Sequence, residues 1–296
     1  ASASTPLSET ISQARMIIPS LWPCIAILRQ GLRQGPLLPE TSQCRVAGPV
    51  RMPAELRPAV CYGSDRVTAT GMAGTETRRN EQDGCFPMQF LTNGQNNADV
   101  RILLAHGAGA PMDSSFMNSI SQALADRQMA VSRFEFCYMA ARRKTGRRAP
   151  PPRAETLMEE FRTAVERLGA GASLFIGGKS LGGRVASMVA DALFRSGRIA
   201  RLICLGYPFH PAGKPTSLRT AHLETLTTPA LICQGTRDPL GTKDEVEGYR
   251  LSGSVAIHWL DDGDHDFKPR KASGNTQAGH LESAADAIGD WVRAVG

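Results

Sequence analysis

The strongest constraint on the fold of this chain is a Gly-Lys-Ser-Leu-Gly segment at residues 178–182, directly after the apolar run 174–176. In this Gly-x-Ser-x-Gly pattern a strand ends, the chain turns sharply and a helix begins at about Leu181. Glycines two residues to either side of Ser180 let the strand and the helix approach closely, where a side chain would clash. The pattern predicts a crowded backbone at Ser180, with its hydroxyl raised above a sheet.

The sequence on either side of this turn agrees with it. Residues 173–177 are typical of a short buried parallel strand, and residues 184–194 have the apolar spacing of an amphipathic helix. The amides at the helix N-terminus would point at Ser180, where they stabilise negative charge. This context predicts that Ser180 is a nucleophile rather than part of a plain structural corner. The helix residues predicted to face inward are Val185, Met188, Val189, Ala192 and Leu193.

Residues 178–180, Gly-Lys-Ser, also match the end of a phosphate-binding P-loop. That loop needs a further glycine five residues before Gly178, where this chain has Ser173. The intervening residues would also have to form a loop, yet they include the strand residues 174–176. Both observations argue against nucleotide binding.

A serine hydroxyl needs a general base, normally histidine, and a carboxylate that orients the imidazole. The expected chain order is Ser, acid, His, each at the C-terminal end of a strand. Asp238 follows the apolar strand 230–233, and His265 follows the alternating strand 255–260. The alternative for Asp238 is a simple turn with Pro239, since Asp-Pro is a common turn pair. Chain order favours Asp238 as the acid and His265 as the base.

Two further histidines are candidates for the base, and the aspartates beside His265 are candidates for metal ligands. His258 lies within a strand and His280 at a helix start, so neither has the loop position that the base requires. Four aspartates flank His265 and raise the possibility of a metal site: Asp261, Asp262, Asp264 and Asp266. Their spacing matches no calcium-loop or zinc motif. We therefore predict neither a metal nor an organic cofactor.

Two backbone amides must hold the developing oxyanion. One is predicted to be the N–H of Leu181, directly after the nucleophile. The other is expected from the loop 106–110 after the strand 102–105, contributed by Ala108 or Gly109. His106 precedes the serine and lies at the strand end, so it is predicted to order this loop rather than to act as a base.

Four segments together resemble a known family: residues 103–114, 177–184, 234–241 and 264–267. They are similar to the small, lidless α/β-hydrolases of the testis-expressed/KANL-like group, often described as dienelactone-hydrolase-like. The resemblance covers residue 88 to the C-terminus and implies Ser180, Asp238 and His265 as the catalytic triad. Dienelactone hydrolases themselves use a cysteine nucleophile, so Ser180 argues against that activity. Some relatives look like non-enzymatic subunits of chromatin complexes.

The alternation of predicted strands and helices indicates an α/β fold with a mostly parallel sheet covered on both faces. Residues 89–91 and the chain from Val100 are predicted to form an initial hairpin. Further predicted strands are 130–136 and 202–205, and further helices are 115–126, 154–168 and 281–295. Residues 206–228, where larger relatives insert a lid, are too few for a multi-helix cap. An open site for small or exposed acyl groups is expected.

The basic residues between 142 and 153, and Lys179, each have a structural and a functional interpretation. Six cations between Arg142 and Arg153 are expected to form a solvated loop, with an anionic substrate as the main alternative. No aromatic residues are interleaved with them, so nucleic acid is not predicted. Lys179, beside the nucleophile, is expected to point to the surface, although it could favour anionic substrates. The net charge of +6 is mild for 296 residues.

Residues 1–87 are expected to be a poorly ordered, dispensable extension, with the hydrolase domain at 88–296. They show no sustained periodicity, and the apolar run 16–28, interrupted by Pro19 and Pro23, is too short to span a bilayer. A transit peptide and a non-native coding segment are alternatives. The seven cysteines include no Cys-x-x-Cys pair, and no secretory signal is clear, so a cytoplasmic setting is expected. No membrane partner is predicted.

These features lead to one predicted function. The chain is expected to hydrolyse a carboxylic ester or related acyl bond through an acyl-enzyme, with a small acyl substrate as partner. Ser180 attacks, His265 transfers the proton and Asp238 orients His265. The competing hypothesis is a catalytically silent binding or scaffold protein on the same fold. The oligomeric state is left open.

Overall fold

The computed structural model describes residues 88–95, 97–171 and 173–294. The predictions for residues 1–87 lie outside these ranges. Within them are seven strands: β1 (Phe90–Asn93), β2 (Arg101–Ala105), β3 (Ala130–Phe134), β4 (Leu174–Lys179), β5 (Arg201–Leu205), β6 (Ala230–Gly235) and β7 (Val255–Leu260). The α-helices are α1 (Ser115–Ala125), α2 (Cys137–Thr145), α3 (Met158–Leu168), α4 (Leu181–Arg195), α5 (Lys243–Glu247) and α6 (Gln277–Arg293).

The strands form one sheet in the order β1-β3-β2-β4-β5-β6-β7. Every neighbouring pair is parallel except β1 with β3, which is antiparallel. Parallel pairing places the C-terminal ends of β4, β6 and β7 at the same edge of the sheet. The sequence-based prediction of a mostly parallel α/β sheet is confirmed.

Successive residues of each strand pack into two separate hydrophobic cores, because strand side chains alternate between the two faces of the sheet. On β2, Leu103 packs into one core, whereas Ile102 and Leu104 pack into the other. Helices α3 and α4 cover the first face, and α1 and α6 cover the second. Both faces are therefore buried, which explains the almost continuously apolar strands.

The predicted initial hairpin is wrong. Strand β1 pairs with β3, and Phe90 lies opposite Phe134. Strand β2 already has β3 on one side and β4 on the other, so it has no free edge for β1. Strand β1 therefore pairs with the other edge of β3 and becomes the edge strand of the sheet.

Several boundaries also differ from the predictions. The strand predicted to reach Phe136 ends at Phe134, and the basic segment after it begins as helix α2 rather than as a loop. Helix α6 begins four residues earlier than predicted, because the Thr276 hydroxyl accepts a hydrogen bond from the Gly279 amide as its N-cap. On α4, Ala192 is exposed, since the buried stripe runs through Val185, Val189 and Leu193.

The connection 206–228 between β5 and β6 contains turns and no helix. It therefore builds no helical cap over the C-terminal edge of the sheet, as the sequence predicted. In the described part of the chain, no helix combines the length and the apolar character needed to cross a membrane.

Candidate active site

Ser180 occupies the sharp turn between β4 and α4. Its backbone has φ 52° and ψ −113°, a conformation that residues with a side chain seldom adopt. Its amide donates to the carbonyl oxygen of Leu205 on β5, at 3.0 Å. A Cβ atom on Gly178 or Gly182 would overlap the carbonyl oxygen of Ala105. The two glycines are thus required for the close approach of β2, β4 and α4 that holds this turn.

The structure brings Ser180, Asp238 and His265 together from three separate segments of the chain. The Nε2 atom of His265 lies 2.9 Å from the Oγ atom of Ser180, and its Nδ1 atom lies 2.8 Å from Oδ2 of Asp238. Each residue follows the C-terminal end of a strand: β4, β6 or β7. The imidazole therefore bridges the hydroxyl and the carboxylate, the arrangement in which a serine can be activated.

Asp238 is completely buried, and its carboxylate is fully hydrogen-bonded. Oδ1 accepts from the Leu240 amide at 2.8 Å, and Oδ2 accepts from the side-chain amide of Gln234 at 2.9 Å as well as from His265. The buried Gln234 amide also binds the main chain of Tyr207, accepting from its N–H at 2.7 Å. Sequence reasoning missed Gln234, because its role depends on which strands are neighbours.

Lys179 does not point to the surface as predicted; it is almost completely buried. Its Nζ donates to the carbonyl oxygen of His265 at 2.7 Å and lies 3.4 Å from the Asp266 carboxylate. It also lies 5.3 Å from the centre of the Phe116 ring, within range of a cation–π contact. Burial lowers the pKa of Lys179, and the nearby carboxylates oppose that shift.

The aspartates around His265 shape its loop. Oδ1 of Asp264 accepts from the amides of Asp266 and Lys268, and Asp262 pairs with Arg270 and Arg237. Asp262 and Asp264 therefore stabilise the conformation of this loop. In the ranges that the structure describes, no cluster of three or more histidine, cysteine or acidic residues could hold a metal ion.

The loop after β2 is held by two aromatic residues. The Gly107 carbonyl binds Nδ1 of His106 at 2.7 Å, and the Tyr138 hydroxyl donates to the Ala108 carbonyl at 3.2 Å. The N–H on the other side of each peptide points the opposite way. The amides of Ala108 and Gly109 are thereby turned away from His106 and Tyr138, and both residues line a cavity beside Ser180.

His106 is completely buried, and its second ring nitrogen accepts from the Phe136 amide at 3.2 Å. Burial lowers its pKa, so the ring stays neutral. Its two contacts agree with the predicted role in ordering the loop. Of the two other histidines considered as bases, His258 binds Ser283 and His280 binds the Phe267 carbonyl, and neither contacts Ser180.

The basic run is partly structural. Arg143 pairs with Asp113 and Glu135, and Arg142 donates to the Gly109 carbonyl at 3.1 Å. Both arginines lie on α2 rather than in the predicted loop. They bind the loop after β2 on its solvent-exposed side.

Two cavities meet at Ser180 and Ala108. The first, which we call the arginine cavity, has a volume of about 390 Å³ and is lined by Arg153, Arg184 and Arg219 together with Glu155, Leu181 and several prolines. The second, the histidine cavity, has a volume of about 340 Å³ and is lined by His265, Lys179, Phe116 and the loop after β2.

Known proteins resemble this chain in sequence and in fold. Residues 98–293 match the family model described as "Alpha/beta hydrolase domain". A dienelactone hydrolase from Anabaena variabilis is 19% identical, with a TM-score of 0.53 over 71% of this chain and 92% of that one. A monoacylglycerol lipase from Paleococcus ferrophilus is 15% identical, with a TM-score of 0.51 over 71% and 99%. An alpha/beta hydrolase from a lagoon-sediment metagenome of Mar Chica, Morocco, is 16% identical, with a TM-score of 0.51 over 71% and 96%.

Proposed function

Since this chain belongs to the alpha/beta hydrolase family, we propose that it is a serine hydrolase that cleaves a carboxylic ester or related acyl bond through an acyl-enzyme intermediate. The observation that carries the proposal is the continuous bridge from Ser180 through His265 to Asp238, with contacts of 2.9 and 2.8 Å. The four sequence motifs further support membership of the testis-expressed/KANL-like group.

In the proposed acylation, the Ser180 oxygen attacks the substrate carbonyl carbon while Nε2 of His265 takes the hydroxyl proton. The carbonyl oxygen becomes an oxyanion. Its donors are the N–H of Leu181, at the start of α4, and that of Ala108 or Gly109. None of these amides donates to another group in the described residues, so all remain available. Asp238 fixes the imidazole tautomer and stabilises the imidazolium.

The tetrahedral intermediate then collapses, and the imidazolium of His265 gives its proton to the departing alkoxide. A water molecule enters on the same side, His265 removes its proton, and the hydroxide attacks the acyl-enzyme ester. The second collapse releases the acid and returns the proton to Ser180. No step in this sequence calls for a metal or an organic cofactor.

The direct test is labelling of the full chain with a fluorophosphonate probe, compared with Ser180→Ala. An activated serine at this turn predicts labelling of the native protein that the substitution abolishes. Ser180→Ala preserves the backbone, and the unchanged thermal unfolding temperature serves as its folding control. An unlabelled, well-folded native protein would contradict the proposal and favour the scaffold hypothesis.

A second test addresses the acid. Asp238→Asn keeps the shape of the side chain but no longer holds His265 in the required tautomer. We expect kcat on a 4-nitrophenyl ester to fall by about 10⁴-fold. Asp261→Asn removes an exposed carboxylate from the neighbouring loop and is expected to leave kcat unchanged. Equal activity in the two variants would exclude Asp238 from the mechanism.

A further inference from the structure

The arginine cavity contains more positive charge than its own residues neutralise. Three arginines and one glutamate line it, and Ser180 lies at its inner end. Arg184 pairs with Glu155 at 2.9 Å, and Arg153 is exposed at the surface. The Nε–H of Arg184 is buried and has no hydrogen-bond partner among the described residues. A buried donor without an acceptor is costly, so Glu155 alone does not satisfy the Arg184 guanidinium.

Arg219 is a partly buried cation of this cavity that forms no ion pair of its own within the described part of the chain. Its guanidinium makes no hydrogen bond or ion pair with any side chain in the described ranges, although the residue is half-buried. Burial lowers the pKa of Arg219, and the positive charge of Arg184 lowers it further. Two neighbouring cations that are partly removed from water repel each other. An anion between them would offset both their loss of hydration and their mutual repulsion, and it would accept a charge-assisted hydrogen bond from each.

The geometry also indicates which half of the substrate this anion belongs to. His265 must protonate the leaving group, and it lines the histidine cavity. The leaving group therefore lies on that side. The acyl group extends the other way, past Leu181 into the arginine cavity.

We propose that the substrate is an ester whose acyl group carries a carboxylate, which Arg219 and Arg184 bind. The inference deepens the proposed serine hydrolase function and rests on it. Arginine suits this task because its planar donors match a carboxylate oxygen pair. A cavity of about 390 Å³ has room for a short dicarboxylic half-ester.

The test compares two esters with the same leaving group and chain length: 4-nitrophenyl hemiadipate and 4-nitrophenyl hexanoate. Ser180→Ala supplies the blank for spontaneous hydrolysis. We expect the native protein to prefer the hemiadipate in kcat/KM, and Arg219→Gln to lower that value about tenfold to a hundredfold while lowering the hexanoate value far less. Arg195→Gln removes the same charge at the far end of α4 and should alter neither substrate.

The outcomes distinguish failure of this inference from failure of the proposed serine hydrolase function. Fluorophosphonate labelling of Ser180 without preference for the hemiadipate, or an equal loss on both esters in Arg219→Gln, overturns the carboxylate inference alone. Absence of both labelling and hydrolysis overturns the proposed function and this inference with it. If Arg219→Gln does not fold, a measurement on the native chain tests the inference instead. Adipate should slow fluorophosphonate labelling of Ser180, whereas 1,6-hexanediol at the same concentration should not. Equal effects of the two compounds would refute the inference.

Discussion

The side-chain ammonium of Lys179 donates a hydrogen bond of 2.7 Å to the main-chain carbonyl oxygen of His265. Lys179 is the last residue of β4 and directly precedes Ser180, whereas His265 lies in the loop after β7. One buried side chain thus joins the segment that carries Ser180, the proposed nucleophile, to the segment that carries His265, the proposed base. The Asp266 carboxylate, 3.4 Å from the same nitrogen, balances its charge.

This link makes Lys179 a positioning residue, and its removal should slow the reaction. Lys179→Met keeps the aliphatic part of the side chain but removes the donor to the His265 carbonyl. We expect kcat on 4-nitrophenyl hexanoate to fall about tenfold with little change in KM, because the base is displaced while substrate binding is not. Lys243→Met, on the half-exposed side chain of a lysine in α5, is the matched control. An unchanged kcat in Lys179→Met would show that the link is structural only.

Gln234 should contribute to stability as well as to the position of Asp238. Gln234→Leu has a similar volume but leaves the Tyr207 amide without its acceptor and removes one of the three donors to Asp238, both in the buried interior. Such losses cost about 1–3 kcal/mol of unfolding free energy. Urea unfolding measures this change. Gln122→Leu, on an exposed face of α1, is expected to change stability by less than about 0.5 kcal/mol, and an equal effect of both substitutions would contradict the assignment.

Gly182 should tolerate no side chain. Its Cβ would overlap the main chain at the end of β2, and neither the strand nor α4 can shift without opening the sheet. We expect Gly182→Ala to lower the unfolding temperature strongly or to prevent folding. Gly253→Ala is the control, because nothing lies within 4 Å of its added methyl group. Thermal unfolding followed by circular dichroism gives the melting temperatures of the two variants. Similar melting temperatures would disprove the steric argument.

His106 predicts how stability depends on pH. Its pKa is lowered by burial, so the folded state leaves the ring neutral while the unfolded chain binds a proton below about pH 6.5. Protons then favour unfolding, and stability falls as the pH drops from about 6.5 towards the folded pKa. The slope from one such group is at most about 1.4 kcal/mol per pH unit. Burial also lowers the pKa of His222 and His258, in the same direction.

Unfolding temperatures at several pH values between 7.5 and 5.5 test this dependence. His106→Asn should reduce the slope, because the titrating group is gone. His222→Asn offers a second variant if His106→Asn does not fold. A native protein whose stability is flat across this range would contradict the prediction.

The sequence could predict those features that are encoded locally. The turn at Ser180 follows from residues within a few positions of it, and the chain order of Asp238 and His265 follows from strands that are each apolar. The pairing of β1 could not be predicted, since it depends on both edges of β2 being occupied. The burial of Lys179 depends in the same way on a loop 86 residues later in the chain. Gln234 and Arg219 acquire their roles only when neighbouring strands and loops meet.

The connection 206–228 has a consequence for how new specificities could arise on this scaffold. It contributes Arg219 to the arginine cavity but none of the three residues that form the hydrogen-bonded bridge at Ser180. The same connection is tied to the interior, because the amide of the buried Tyr207 donates to Gln234, which in turn donates to Asp238. New specificities would therefore arise by single substitutions at cavity-lining positions such as Arg219, whereas exchange of the whole connection would also disturb the support of Asp238.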